Sequence, residues 1–182
     1  METEQVPWSC DDEWISVYGL LRSNRYTALN HLKCWNSRMR NILPVGISAT
    51  IAVLTALDQI DRDRNSLVTL FCASGTIVQS IGLLLERFRD TNSPMHKLGA
   101  ELGIPHWVME IRHQVAHQVA VQLNIDAFQS ALEAIYDSLI NHPKSYWKEQ
   151  SETYKRRRAL RDTPISQSEV KALEKLVQAS IH

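Results

Sequence analysis

Three ionisable side chains of complementary chemistry stand close together in the chain: Arg112, His113 and His117. Cleaving RNA without a metal needs a base that takes the proton from the 2′-hydroxyl, an acid that protonates the departing 5′-oxygen, and positive charge beside the phosphate. Because the pKa of imidazole is about 6.5, one histidine can be neutral while another is protonated at the same pH. Two histidines and an arginine therefore suit this reaction, although their spacing does not say which histidine is the base.

The segment around these side chains has the pattern of a helix. Pro105 suits a first helical turn, where its missing N–H would be unpaired anyway, so we expect the helix to start near Ile104. At about 100° per residue, one side is apolar and is predicted to face the core; it carries Trp107, Val108, Ile111, Val115 and Val119. The opposite side carries a polar stripe of His106, Glu110, His113 and His117. Arg112 projects to one side of this stripe, so a second copy of the helix could supply it more easily.

The spacing from Arg112 to His117 also fits R-x4–6-H, the signature of the HEPN superfamily of all-helical domains, which contains many metal-independent ribonucleases. The wider context resembles the Las-one family of pre-ribosomal-RNA endoribonucleases, whose members tend to read lGlP.wlvdlRHe.tH here. The similarity covers roughly residues 14–147 and is carried by Trp35 to Arg38, Leu43-Pro44, Ser48 to Thr50, Gly82 to Leu84, Leu102 to Pro105, Trp107-Val108, Glu110 to His113, His117 and Tyr146-Trp147. Two features depart from the family: Ala116 stands where Thr is usual, and Gln118 to Leu123 replaces a Leu-Pro-Ser-Leu segment.

The resemblance implies a fold, a reaction and a cellular setting. The fold would be an all-α, HEPN-type helical bundle, and the active unit a homodimer with a composite site. The reaction would be metal-independent cutting of precursor rRNA in the second internal transcribed spacer, leaving 2′,3′-cyclic phosphate and 5′-hydroxyl ends. The resemblance further implies a polynucleotide 5′-kinase partner and a place in the nucleus and nucleolus. No cofactor is implied.

Three other interpretations compete with catalysis by this motif. Histidines at i and i+4 can bind zinc, but Gln114 stands where the zincin pattern requires Glu. A catalytically inactive HEPN-fold scaffold that binds RNA or protein would keep the fold without the activity. The stripe could also be a plain solvent face, above all at His106 and Glu110. Other histidines and the tryptophans are interpreted as structural or surface residues, the tryptophans as core rather than base-stacking platforms; they are His31, His96, His142, His182, Trp8, Trp14, Trp35, Trp107 and Trp147.

The rest of the chain predicts seven to nine helices, since no stretch alternates with the period of a strand. Helix starts are indicated at Asp11 to Glu13, at Ser93-Pro94 and at Asn124, which precedes a stripe from Phe128 to Leu139. Pro44 either ends the second helix or opens the third. The uncharged stretches Asn41–Leu57 and Asn65–Leu85 contain several polar residues, so we interpret both as buried helices of a soluble bundle and expect no membrane contact.

Charge is balanced overall but unevenly distributed. The net charge is zero, while Lys144 to Arg161 carries seven basic residues against two acidic ones. We predict a nuclease domain at 1–147 and a peripheral segment at 148–182, with a capping box at Ser166 to Glu169. Within that segment a basic patch suits RNA contact or nuclear import: Lys155, Arg156, Arg157 and Arg158.

Three cysteines without metal-type spacing suit a reducing compartment.

Overall fold

The computed structural model describes residues 6–39, 43–86, 93–117 and 124–162, with side chains up to residue 159. Within these ranges eight helices form and no strand occurs, which confirms the all-α prediction. The helices are α1 (Asp11–Ser23), α2 (Arg25–Arg38), α3 (Val45–Arg62), α4 (Leu67–Glu86), α5 (Met95–Glu101), α6 (His106–Ala116), α7 (Ile125–Asn141) and α8 (Tyr146–Asp162). The HEPN class of the bundle stays a prediction.

Most predicted helix starts are confirmed. The first turn of α1 holds three acidic residues, whose negative charges interact favourably with the positive N-terminal end of the helix dipole. Pro44 and Pro94 immediately precede α3 and α5. Asn124 caps α7 by accepting a hydrogen bond from the N–H of Ala127 over 3.0 Å. The apolar stripe of α7 is buried as expected and consists of Phe128, Ala131, Leu132, Ile135 and Leu139.

Tryptophans from separate helices meet in the core. The ring of Trp14 stacks on those of Trp35 and Trp147, with centroid distances of 5.7 and 4.5 Å. All three side chains are fully buried, and Trp8 covers the cluster with its ring 4.4 Å from that of Trp14. These four tryptophans confirm the core interpretation.

Glu13 fixes the edge of this aromatic cluster. Its carboxylate accepts hydrogen bonds from the N–H of Ser9, from Trp35 Nε1 and from Arg38, at 2.6, 2.8 and 2.9 Å. Burial by itself raises the pKa of this carboxyl, but the three hydrogen bonds outweigh it and hold the pKa at about 2. Glu13 is therefore charged at neutral pH and ties α1 to α2.

The prediction that α4 is a buried helix is only half right. Its buried residues form a single stripe, Thr69, Ala73, Ile77, Ser80, Ile81 and Leu85, against the neighbouring helices. Near its start, Leu67 and Phe71 are each 71% exposed. The absence of charged residues from a stretch cannot show how many sides of the helix its neighbours cover, and the start of α4 is exposed on one side. By length and composition Leu67–Glu86 could cross a membrane, so the absence of membrane contact stays a prediction.

Two compact units divide the chain, Met1–Ser151 and Glu152–His182. The predicted boundary at 147 and 148 and this division both fall inside α8. The capping box at Ser166 to Glu169 lies outside the described residues.

Candidate active site

The helix that carries the motif begins at His106, two residues later than Ile104, where the sequence places its start. Pro105 is the residue before the first turn, with an extended backbone at φ −60° and ψ 144°. Its carbonyl accepts from the N–H of Val108 over 3.0 Å, which closes the first turn without a side-chain cap. The ring of a proline fixes its own φ angle, so Pro105 restricts the direction in which the chain enters α6.

The turn before α6 is held by residues of α7 and the segment after it. Gly103 has φ of +73°, a left-handed conformation that favours glycine. A Cβ at this position would lie 2.6 Å from Cδ2 of His142. One residue earlier, the carbonyl of Leu102 accepts a hydrogen bond from the buried hydroxyl of Ser138. The N-terminal end of α6 is therefore fixed against α7.

The core face of α6 differs from the predicted one at one edge. Val108 and Ile111 are buried as expected, whereas Trp107 is 45% exposed and Met109 is buried in its place. The reason lies on α5, where Gly99 leaves room for the Met109 side chain; a Cβ on that glycine would lie 2.9 Å from the methionine sulfur. Val115 is only half-buried, and Val119 lies outside the described residues.

His113 and His117 come together at the C-terminal end of α6. Their ring centroids lie 4.4 Å apart with the planes tilted by 54°, and both side chains are exposed. His117 is the residue directly after the helix, and its N–H donates to the carbonyl of His113 over 3.1 Å. The two rings thus lie close enough together to act on the same bound group, as catalysis by an acid and a base requires.

Arg112 leaves the helix on a different side. At about 100° per residue it lies between the buried residues Val108 and Met109 around the helix axis. The side chain is half-buried, and its Nε is buried with no hydrogen-bond partner among the described residues. Buried donors are almost always paired in folded proteins, so this unpaired nitrogen is unusual.

The profile of the Las1-like family matches residues 6–149. The chain belongs to this family. One relative is the mouse (Mus musculus) protein named "Ribosomal biogenesis protein LAS1L", which is 29% identical over 156 residues. The alignment covers 81% of this chain but only 19% of the mouse protein. The chain thus corresponds to about a fifth of that relative's length.

In this Las1-like chain, the polar stripe continues towards the start of α6 and gains a residue from α5. His106 Nε2 lies 3.7 Å from a carboxylate oxygen of Glu110, and its ring centroid lies 6.4 Å from that of His96. Sequence reasoning treated His96 as isolated because it belongs to another helix, and no local spacing relates it to the motif. The described residues contain no cluster of three or more metal-ligating side chains.

A cavity of about 400 Å³ lies away from the histidine pair. Residues from α3, α4, α7 and the start of α8 line most of it, and no residue of the Arg-His-His motif does. A polymeric substrate can reach exposed histidines more easily than groups inside a cavity. We therefore place the candidate site on α6.

The predicted basic patch lies on α8 in the second compact unit. All four of its residues are exposed. Lys155 pairs with Glu152 at 3.1 Å, and the guanidinium of Arg157 lies 5.6 Å from the ring centroid of Tyr154. An exposed, positively charged helix end suits RNA contact, which stays a prediction for Lys155, Arg156, Arg157 and Arg158.

Proposed function

We propose that this chain is a metal-independent endoribonuclease whose active site is formed by Arg112, His113 and His117. The observation that supports this most is the contact between the two exposed histidine rings at the end of α6, the helix that also carries Arg112. One histidine would take the proton from the 2′-hydroxyl as that oxygen attacks the phosphorus. The other would protonate the departing 5′-oxygen, and the arginine would stabilise the charge that builds up on the phosphate. The products would be a 2′,3′-cyclic phosphate and a 5′-hydroxyl.

The proposed substrate is precursor rRNA, cut in the second internal transcribed spacer during ribosome biogenesis. Membership of the Las1-like family and the name of the mouse relative support a role in ribosome biogenesis. The 5′-hydroxyl end calls for a polynucleotide 5′-kinase as a partner, and the setting calls for the nucleus and nucleolus. Affinity capture from cells that recovered no such kinase would count against this part of the proposal.

We further propose that the active unit is a symmetric homodimer with the α6 helices facing each other. The histidine pair and Arg112 emerge from α6 on different sides, about 100° to 140° apart around the axis. Two copies related by a two-fold axis would bring both histidine pairs and both arginines around one cleft. The guanidinium of Arg112 would then stabilise the phosphate bound by the partner's histidines.

Cleavage should survive the removal of divalent metal ions. We expect the purified chain to cut a structured spacer RNA in excess EDTA at the same rate as without it, because the proton transfers need only side chains. Gel analysis with and without enzymatic removal of the cyclic phosphate would identify the ends. Loss of cleavage in EDTA would contradict the mechanism. Binding of the RNA with no cleavage under either condition would favour the inactive scaffold instead.

A further inference from the structure

Trp107 is exposed although the other four tryptophans of the chain are buried. Trp8, Trp14, Trp35 and Trp147 are between 0% and 6% exposed, whereas Trp107 is 45% exposed. An indole left partly in water forgoes stabilisation that burial would give. The exposed part of this large indole is therefore open to contact with another molecule.

The position of Trp107 relates it to the candidate active site. It lies on the same helix as His113 and His117, about 9 Å and 15 Å away along the axis at 1.5 Å per residue. Around the axis it stands beside the polar stripe, on the side away from Arg112. An RNA strand that follows α6 from the histidines towards the start of the helix would reach Trp107 within a few nucleotides, since stacked bases rise by about 3.4 Å each.

The surroundings of Trp107 suit a base better than a phosphate. Glu110, one turn further along α6, carries a carboxylate that is 54% exposed. A negative charge there repels phosphates, whereas an indole face attracts the flat surface of an unpaired base.

We infer that Trp107 is a stacking platform for an unpaired base of the RNA strand that passes the histidine pair. This inference rests on the proposed function, because the strand is taken to be the substrate. It names the substrate class as RNA that is single-stranded beside the cleavage site. Stacking on Trp107 would hold the strand in register with the site, and it is sequence-tolerant since every base has a flat face.

The test measures RNA binding separately from cleavage. A 5′-labelled oligoadenylate is titrated into the chain with His117→Ala, alone and combined with Trp107→Ala or Trp107→Phe. We expect Trp107→Ala to weaken binding about five- to a hundredfold and Trp107→Phe to retain most of it. An abasic oligonucleotide of the same length should bind equally to the His117→Ala chain and to the two chains that also carry a substitution of Trp107. The matched control is Phe71→Ala, which removes an exposed aromatic ring from α4.

Two further readouts distinguish the alternatives. Oligoadenylate should quench part of the tryptophan fluorescence, and Trp107→Phe should abolish that quenching, because the other four indoles are buried. The inference would be overturned if adding Trp107→Ala to the His117→Ala chain left oligoadenylate binding unchanged and if oligoadenylate did not quench the tryptophan fluorescence. A shift from dimer to monomer in sedimentation that accounts for the whole loss of binding would also overturn it, since Trp107 would then be an interface residue. If the chain with His117 intact never cleaved RNA but these results held, the proposed activity would fail and the stacking role would stand.

Discussion

Replacing His117 with alanine should slow RNA cleavage by about 10²- to 10⁴-fold, the usual contribution of a general acid or base. His113→Ala should act similarly, and Arg112→Ala should cost about 10²- to 10³-fold because it removes charge stabilisation at the phosphate. The melting temperature of the two histidine variants should change by no more than about 2 °C, since both side chains are exposed. Single-turnover cleavage and thermal melts, measured on the same preparations, check both parts.

His106→Ala is the matched control for these substitutions. It removes an exposed histidine from the same helix, and we expect nearly unchanged cleavage because His106 lies beside Glu110 at the other end of α6 from His113 and His117. If His106→Ala lost as much activity as His117→Ala, the histidine stripe would act as a general RNA-binding face. The assignment of His113 and His117 as acid and base would then be wrong.

The same variants test the composite site. Arg112→Ala and His117→Ala chains, each strongly impaired alone, should regain part of the activity when mixed, since a hybrid dimer can combine one intact arginine with one intact histidine pair. Light scattering must show dimers in each preparation. Activity of a chain that scatters as a monomer, with a rate strictly proportional to concentration, would contradict the shared site.

Trp147→Ala should destabilise the first compact unit by about 3–5 kcal/mol, a large part of the total stability of an ordinary domain. Trp147 is fully buried, stacks on Trp14 with centroids 4.5 Å apart, and donates from Nε1 to the buried hydroxyl of Thr50 over 2.9 Å. The substitution removes the ring and leaves a cavity in the aromatic core. Urea unfolding followed by circular dichroism measures the loss.

Trp107→Ala is the control for Trp147→Ala, because it removes the same side chain from an exposed position. We expect it to change the free energy of unfolding by about 1 kcal/mol or less. Equal losses for the two variants would mean that Trp107 is as buried as Trp147 and would also weaken its proposed role in RNA binding.

Local sequence signals placed most of the fold and the histidine pair correctly. Asn124 marks the start of α7 because its side chain caps that helix, and Pro44 precedes α3 as its position suggests. The spacing of His113 and His117 brings their rings together because residues four apart are neighbours on a helix. These features depend on one segment at a time, so the sequence alone reveals them.

Features that depend on packing between separate segments could not be predicted from the sequence. Periodicity places Trp107 and Met109 at the two edges of the apolar face of α6, and only the gap left by Gly99 on α5 decides that the methionine is buried. The approach of His96 to His106 likewise depends on two helices. Exposure of Phe71 on α4 was missed because no charged residue between Asn65 and Leu85 marks which side of the helix faces solvent.

Whether the 2′-hydroxyl of the RNA is the attacking group can be measured directly. Once a cleavage site is mapped, the substrate is synthesised again with a single 2′-deoxynucleotide on the 5′ side of the cut, and the reaction is run in EDTA. The mechanism predicts that cutting at this bond stops while binding of the RNA is unchanged, because no 2′-oxygen is left for the histidine base to activate. Continued cutting at the same bond would mean that water attacks the phosphate, and it would contradict the role proposed for Arg112, His113 and His117.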